Sequence, residues 1–384
     1  MPNTLGYYSP EFYANETLIH LRKVLGMAQR VHTGFDEERR AFGLGEYINI
    51  RTPSTFVAQE GSITVQDITT KTTQVRLNRY PEVRFAVPDN EYAYTGERII
   101  SDHIAPAAYA LADHLDQALI ALYKDIPWLY DYGTATDHTV VTGMYGVAFN
   151  NQAPMMDPNW HLQVDGTLQM GFQNSDMFKS ASMAGEGNNE TLFNGSLGRR
   201  YNVEIYANQN ATIAGAHTVG TIISGADQAG ALTANLAAGA TTMALGSMAA
   251  TETLKAGDTF SIAGNTQRYA VTADVTMVGG AANVSFTPGA AQAYSSGAVV
   301  TFYVQATGAV QQLLYHRNAF ALAFAQLPTN LEGTAVSVAT DPVTGMSVRA
   351  RRWTDNDNKQ QLVGLDMLYG VKTLQPNLAV RGWT

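Results

Sequence analysis

The stretch "LLYHRNAFALAF", Leu313 to Phe324, places a histidine beside an arginine in the middle of an apolar run. It follows a region of very different composition. The structure of this stretch therefore decides how that region is attached to the rest of the chain. Its apolar residues suit the buried face of a helix. The residues of that face are Leu313, Leu314, Phe320 and Phe324. We therefore predict a helix that belongs to the surrounding host domain.

His316 and Arg317 raise the question of a reactive site. Adjacent residues on a helix diverge by about 100°, so the two side chains would not act as one unit. We interpret them as the polar flank of an apolar face, with a structural role.

The region that comes before this stretch, from Gly225 to Val304, is rich in Ala, Gly, Thr and Val. Its short β-type runs are broken by glycines. The charged residues in it are Asp227, Glu252, Lys255, Asp258, Arg268 and Asp274. We predict a separate small β domain or barrel that is inserted into the host domain.

Further upstream lies the clearest helical pattern, which follows Ser101 and Asp102 and has Pro106 near its first turn. Its apolar stripe is Ile104, Ala108, Leu111, Leu115, Ala118, Leu122 and Ile126. A helix running to about Pro127 would be roughly 37 Å long and would serve as a spine.

Residues 47 to 92 are rich in Thr, Val and Ile and alternate as strands do, over Val75 and Leu77 and again from Val83 to Val87. They have too few apolar residues to bury both faces, so a long exposed hairpin is expected. Two interpretations stay open, a solvated hairpin or one that lies across a neighbouring subunit.

The two ends of the chain also have predicted structure. An amphipathic segment around Leu18 to Ala28, followed by a charged cluster at Asp36 to Arg40, indicates an N-terminal arm. Near the other end we predict a hairpin that turns at Asp341 to Gly345, a polar loop at Thr354 to Lys359, and a final strand pair.

Composition limits the class of protein. The 384 residues carry a net charge of −9 with scattered basic residues, which excludes the basic stripe of a tight nucleic-acid binder. There is no cysteine, so disulfides and sulfur-ligated metals are excluded. We find neither a signal peptide nor an apolar run long enough to span a membrane, and we expect a soluble, non-exported chain.

No pattern of catalytic residues was found. The eight histidines are His20, His32, His103, His114, His138, His161, His217 and His316, and their spacings do not match a metal motif. Nucleophile elbows and phosphate-binding glycine loops are also missing. We expect no enzyme activity, no cofactor and no metal.

Several segments together resemble the major capsid (coat) proteins of tailed bacteriophages, specifically the coat family of short-tailed Salmonella phages with the Hong Kong 97 capsid fold. The segments are "GLGEYINIRTPSTF" (43–56), "LKAGDTFSIAG" (254–264), "LLYHRNAFALAF" (313–324), "GMSVRARRW" (345–353) and "LYGVKTLQPNLAVR" (368–381). They occur in the order in which the family has them.

The resemblance implies an α+β capsid fold with an N-terminal arm, an extended β-hairpin loop, a long spine helix and an inserted small β domain. The implied boundaries are 1–46 for the arm, 47–95 for the extended loop, 96–140 for the spine helix and peripheral domain, 141–223 for the first part of the axial domain, 224–305 for the inserted β domain, 306–335 for the axial return helix, and 336–384 for the closing strands of the peripheral domain.

The implied function is a major capsid protein that assembles with many copies of itself, as hexamers and pentamers, around packaged double-stranded DNA. The shell would form in the host cytoplasm with a scaffolding protein, a portal and decoration proteins, and would touch the DNA only weakly. Candidate inter-subunit residues are Lys71, Arg76, Arg79 and Arg84, and candidate scaffold contacts are Glu11 and Glu16. Ordinary surface solubility is the alternative for each.

Other functions remain open at this stage. Some capsids join a hairpin lysine to an asparagine of another subunit, and here Lys71 has Asn356, Asn358 or Asn377 as candidates. An encapsulin-like compartment would share the fold. A secreted β-rich adhesin would require an export signal, and a hydrolase with an appended β domain would require a nucleophile and a base.

Overall fold

The structure is a computed structural model that describes residues 10–33, 46–52, 71–88, 103–179, 197–223, 229–331, 333–341 and 345–383. Helices and antiparallel strands are both abundant in these ranges, which confirms the α+β class. The chain forms two compact units, each made of two separate segments. Unit 1 contains residues 1–115 and 320–374, and unit 2 contains 116–319 and 375–384.

The described residues of unit 1 form a four-stranded antiparallel sheet in the order β18-β19-β20-β3 and two pairs, β1-β2 and β17-β21. Its strands are β1 (Tyr47–Thr52), β2 (Lys71–Arg76), β3 (Glu82–Pro88), β17 (Phe320–Ala325), β18 (Ala335–Thr340), β19 (Ser347–Asp355), β20 (Gln360–Asp366) and β21 (Leu368–Thr373). Helix α1 (Pro10–Val24) packs on β18 and β19 through Tyr13, Ala14 and Leu21. The predicted arm therefore contains a helix that is docked on its own sheet.

The β1-β2 pair forms a ribbon with one apolar face. Ile48, Ile50 and Val75 pack against one face of β17, which consists of its alanines. The large side chains of β17 lie on the opposite face of that strand. Gly370 in β21 makes this contact possible, because a Cβ there would lie 2.3 Å from the backbone oxygen of Arg76. Small residues on β17 and β21 thus let the ribbon approach closely.

The predicted spine is helix α2 (Ala105–Ile120), which continues as a 3-10 helix (Ala121–Asp125). The α-helix is shorter than predicted. The change to 3-10 geometry buries Tyr123 and leaves Leu122 half-buried, although Leu122 fits the α-helical stripe. The predicted helix start at Ser101 and Asp102 lies outside the described residues, as does the charged cluster at Asp36 to Arg40.

Unit 2 contains a six-stranded sheet in the order β4-β22-β16-β5-β7-β6. Its strands are β4 (Leu129–Asp131), β5 (Trp160–Val164), β6 (Arg199–Arg200), β7 (Val203–Ala207), β16 (Gln312–His316) and β22 (Ala379–Trp383). Beyond the end of α2, the α-helices in the described part of this unit are α3 (His138–Asn150), α4 (Gly166–Asn174), α5 (Asp176–Lys179) and α6 (Asn210–Ala214). Helices α3 to α5 and one face of the sheet share an apolar core.

The Ala/Gly/Thr-rich region of unit 2 folds as a closed barrel in the order β11-β12-β14-β9-β8-β15. Its strands are β8 (Ala229–Leu232), β9 (Thr242–Gly246), β11 (Thr259–Ile262), β12 (Arg268–Val271), β14 (Ala282–Thr287) and β15 (Val299–Phe302), with the small pair β10 (Thr253–Leu254) and β13 (Val275–Thr276) beside it. Phe260, Tyr269 and Phe286 fill the interior. The short, glycine-broken strands therefore enclose an apolar core with aromatic residues at its centre.

The helix predicted for Leu313 to Phe324 is wrong. The stretch forms β16, a 3-10 turn (Arg317–Ala319) and β17, and the chain passes from one unit to the other within it. The missed signal is the alternation of large and small residues in Phe-Ala-Leu-Ala-Phe-Ala, which has the two-residue period of a strand. Both faces of each strand are buried, so polar residues do not mark the period.

Two other predictions need correction. β3 does not return along the hairpin, because it pairs with β20. The final strands β21 and β22 do not pair with each other; β21 pairs with β17, and β22 with β16 and β4. The tip of the predicted hairpin, residues 53–70, lies outside the described residues.

Candidate functional site: the charged face and edge strand of unit 1

The candidate inter-subunit arginines of the hairpin lie on unit 1. Arg76 is exposed on the ribbon, where its Nε contacts the Glu46 carboxylate and its guanidinium lies 5.9 Å from the Tyr47 ring centre. The hydrogen bond with Glu46 raises the pKa of Arg76. Lys71 begins β2, but its side chain lies outside what the structure describes.

Arg79 and Arg84 lie in different surroundings. The Arg79 backbone exchanges hydrogen bonds with Tyr369, at 3.1 and 3.0 Å, so it ties the segment after the ribbon to β21. Arg84 is exposed on β3 and donates from Nη2 to Oε2 of Glu82 over 2.7 Å. All three arginines therefore have partners within their own unit.

The candidate scaffold residues lie on α1. Glu11 is exposed in the first turn of the helix. Glu16 is half-buried and lies 3.2 Å from Nε2 of His20, four residues along the same helix. Glu11 is therefore the more accessible of the two carboxylates.

The pairing of the strands places several charged residues on one face of the four-stranded sheet. Arg349 on β19 stands opposite Asp366 on β20, which in turn stands opposite Glu82 on β3. Two residues further on, Arg351 and Arg84 flank Gly364. Because side chains two residues apart share a face, these residues and Trp353 form one surface. We call Glu82, Arg84, Arg349, Arg351, Trp353 and Asp366 the charged face.

The centre of the charged face is a buried ion pair. Arg349 is 4% exposed and binds Asp366 through two hydrogen bonds, from Nε to Oδ1 at 2.9 Å and from Nη2 to Oδ2 at 2.8 Å. The Tyr80 hydroxyl donates to Oδ2 of Asp366 and accepts from Nη2 of Arg349, each over 2.7 Å. Arg349 Nη1 donates to the Pro328 oxygen at 2.9 Å. Such complete pairing offsets the cost of removing the charges from water.

The outer part of the charged face is more open to solvent. Glu82 accepts from both Arg84 and Arg351, and the bond from Arg84 is the main cause of its lowered pKa. Both guanidiniums lie over the Trp353 ring, at 5.7 and 5.6 Å. A Cβ at Gly364 would lie only 3.0 Å from Oε1 of Glu82, so glycine there leaves space for the carboxylate.

β3 is an edge strand within the described ranges, where it pairs only with β20. It presents Arg84, which belongs to the charged face, and Ala86, both of which are exposed. An edge strand offers backbone N–H and C=O groups to a further strand. The charged face would bind surfaces of complementary charge more tightly than others, and its arginines would favour an acidic surface.

The contacts of His316 hold two segments of unit 2 together. His316 is buried, with Nε2 at 3.2 Å from Oδ2 of Asp157, while its Nδ1 accepts from the Asn318 backbone N–H at 3.2 Å. These contacts attach the loop before β5 to the end of β16. Within the described ranges, no group of three or more metal-ligating side chains comes together, and no helix is long and apolar enough to cross a membrane.

Two of the three asparagines proposed for covalent joining have local contacts. Asn358 donates from Nδ2 to Asp355 over 2.8 Å, and Asn377 accepts from the Trp128 ring N–H over 3.1 Å. Because the Lys71 side chain is outside the described residues, the isopeptide hypothesis stays a prediction.

No protein-family model matches the chain, and no curated protein matches its sequence. The fold is similar to that of a chain from Mycobacterium phage Che8, with 12% identity and a TM-score of 0.48, over 93% of this chain and 90% of that one. It is also similar to a chain in the capsid of the cyanophage P-SCSP1u (12% identity, TM-score 0.42, 88% and 84% covered). A third similar chain is from the mature capsid of bacteriophage PhiM1 (12% identity, TM-score 0.44, 88% and 82% covered).

Proposed function

We propose that the chain is a self-assembling shell subunit, the major capsid protein of a tailed bacteriophage, with many copies enclosing double-stranded DNA. The observation that carries the proposal is the β1-β2 ribbon. One of its faces is buried on β17, while the other presents Tyr47, Asn49, Gln74 and Arg76 to solvent. A two-stranded ribbon is marginally stable alone, and its edges accept further strands.

The edge strand β3 supports the same proposal. It lies in the same unit, is at the end of its sheet within the described ranges, and has Arg84 and Ala86 exposed. Copies that meet through a ribbon on one subunit and a different surface on the next make heterologous contacts, which close into rings and shells when the geometry allows. Many modest contacts per subunit then give a stable assembly without disulfides.

The test removes the part of the hairpin beyond the ribbon. Thr52 and Lys71 are paired in register, so an Asn-Gly turn can replace residues 53–70 and close the ribbon as a two-residue hairpin. We expect a variant that folds, by circular dichroism, but forms no shells by negative-stain microscopy when co-expressed with its neighbouring genes. The substitution Asp357→Ser in an exposed turn serves as the control and should assemble normally.

Normal shells from the shortened variant would refute the role of the hairpin. If the wild-type chain remains monomeric at all salt concentrations and with its neighbouring genes, the shell proposal itself is wrong. Shells that contain an enzyme rather than nuclease-protected DNA would indicate an encapsulin-like compartment. Contact with DNA should be weak and fade at moderate salt, because the chain carries a net charge of −9.

The partners in assembly are part of the proposal. A basic scaffolding protein would meet α1 through Glu11, whose carboxylate is more exposed than that of Glu16. A portal and decoration proteins complete the expected set, and the virion capsid is the expected location.

A further inference from the structure

The barrel of unit 2 is joined to the rest of its unit by a short neck, which we define as residues 215–223, 255–258 and 305–311. The leading and returning segments pair with each other: the His217 N–H donates to the Ala309 oxygen over 3.1 Å, and the Gly308 N–H donates to the His217 oxygen over 2.7 Å. Backbone pairing alone would leave the neck as a two-stranded ribbon, which is weak without side-chain support.

Val219, Ile222 and Ile223 of the neck pack into the barrel core, and polar support comes from Asp258, which is fully buried just before β11. Its Oδ2 accepts from the backbone N–H groups of Gly220, at 3.1 Å, and Lys255, at 2.7 Å. Its Oδ1 lies 3.1 Å from Nε2 of His217. One carboxylate therefore binds the leading segment of the neck at two points and the barrel turn at a third.

His217 is the other half of this pair and is 1% exposed. Its Nδ1 lies 3.2 Å from the Tyr123 hydroxyl. If the hydroxyl donates to Nδ1, the imidazole is neutral and carries its proton on Nε2, where it donates to Asp258. In this tautomer both ring nitrogens have partners, which is the arrangement a buried histidine needs.

The charges around His217 come from three directions. Asp258 faces it from the barrel, Arg381 from β22, and Lys124 from the 3-10 helix that also carries Tyr123. Arg381 is fully buried and donates from Nη2 to the Gly257 oxygen over 2.8 Å, while its Nε and Nη1 have no hydrogen-bond partner among the described residues. A protonated His217 would therefore lie near the Arg381 guanidinium, a buried cation that already lacks hydrogen-bond partners for two of its nitrogens.

We propose that the His217–Asp258 pair is an acid-sensitive latch, which holds the barrel neck closed while His217 is neutral and loosens it when His217 takes up a proton. The added proton occupies the lone pair of Nδ1, so the Tyr123 hydroxyl can no longer donate there and must turn its proton to the Ala216 oxygen, 3.4 Å away. Protonation also places a cation near Arg381 and Lys124. The latch is a property of the single chain, so it does not depend on the proposed shell function.

The sign of the effect follows from the environment. Burial lowers the pKa of His217, with Arg381 and Lys124 acting in the same direction and Asp258 opposing them. The folded pKa therefore lies below the unfolded value of about 6.5. The stabilisation of the latch is complete above pH 6.5 and is lost as the pH falls from 6.5 toward the folded pKa, by up to about tenfold in the opening equilibrium per pH unit.

The test is amide hydrogen exchange on the full chain at pH 7.5 and 5.5, corrected for the intrinsic pH dependence of exchange. We expect protection of the Gly220 and Lys255 amides to fall by up to about tenfold at pH 5.5, while the barrel strand amides keep theirs. The substitution His217→Gln keeps a hydrogen-bond donor for Asp258 but cannot titrate, so its neck protection should not change between the two pH values. His103→Gln, at an exposed position of unit 1, should behave as wild type.

Neck protection in the wild type that is the same at both pH values would overturn the proposal, and so would an equal loss in His217→Gln. If that variant does not fold, the imidazole resonances of wild-type His217 give the answer. A titration midpoint below 6.5 that coincides with the loss of neck protection supports the latch. A neck that opens without titration of His217 refutes it.

Discussion

Each unit buries an arginine, and the two arginines have different partners. Arg349 in unit 1 forms two hydrogen bonds with Asp366 and one with Tyr80. Arg381 in unit 2 is fully buried, but the one hydrogen bond of its guanidinium within the described ranges goes to the Gly257 oxygen, and the guanidinium lies 5.7 Å from the Tyr123 ring centre. Burial lowers the pKa of Arg381 to about 10, whereas bonds with Asp366 outweigh burial and raise that of Arg349.

The difference shows that the partners of a buried charge, rather than burial itself, decide its contribution to stability. Arg349 is held in one orientation by a planar carboxylate, as the geometry of guanidinium favours. Arg381 lacks such a partner and gains less for the same desolvation. Removing each arginine should therefore have unequal effects.

The largest effect is expected from Asp366→Asn. The substitution removes the negative charge that Arg349 and Arg351 share and leaves a buried guanidinium uncompensated. We expect a loss of about 3–5 kcal/mol in the free energy of unfolding, measured by urea denaturation and by hydrogen exchange of β19 amides. Asp357→Ser, in an exposed turn of the same sheet, is the control and should be neutral. A loss below about 1 kcal/mol for Asp366→Asn would show that the carboxylate partner of Arg349 contributes little to stability.

An intermediate effect is expected from replacing each arginine by methionine. Arg349→Met leaves Asp366 with Arg351 and Tyr80, and should destabilise unit 1 by about 2–4 kcal/mol. Arg381→Met loses one hydrogen bond but also removes the buried charge, so its change should stay within about 1.5 kcal/mol of wild type. Urea midpoints of the two variants, measured at the same pH, give the comparison. Equal losses would show that the missing carboxylate does not matter.

The smallest effect concerns Glu82 and acid. Its pKa is lowered from 4.5, mainly by the bond from Arg84, so the folded state favours the ionised form. The stabilisation is present above pH 4.5 and is lost as the pH falls through the lowered pKa. Because Arg84 is exposed, we expect less than about 1 kcal/mol. Urea midpoints between pH 6 and 3 should fall more for wild type than for Glu82→Gln, and parallel curves would contradict the prediction.

Much of the architecture could be predicted from residue patterns. The stripe of Ile104, Ala108 and Leu111 is buried as its periodicity indicates. The glycine-broken strands after Gly225 form a β barrel. The boundaries of the individual domains remain predictions. The pattern failed at Phe320 to Ala325, where burial of both faces removed the polar residues that normally reveal a strand.

The charged face could be predicted only in part. Glu82 and Arg84 are two residues apart on one strand, so their pairing follows from strand periodicity. The match of Arg349 with Asp366 needs the register of the β19-β20 hairpin, which depends on where the turn at 356–359 closes. The His217–Asp258 pair joins segments 41 residues apart, and nothing in the local sequence of either residue indicates it.

The passage of the chain between units at Arg317–Ala319 has a consequence for biosynthesis. All six barrel strands emerge from the ribosome before this turn does, and each has its partners in the same stretch. The β17-β21 pair and the place of β22 beside β16 wait for residues near the carboxyl end. Domains fold as units while translation proceeds, so the barrel closes first. Nascent chains stalled once residue 304 has left the ribosomal exit tunnel would carry a finished barrel on an unfinished host.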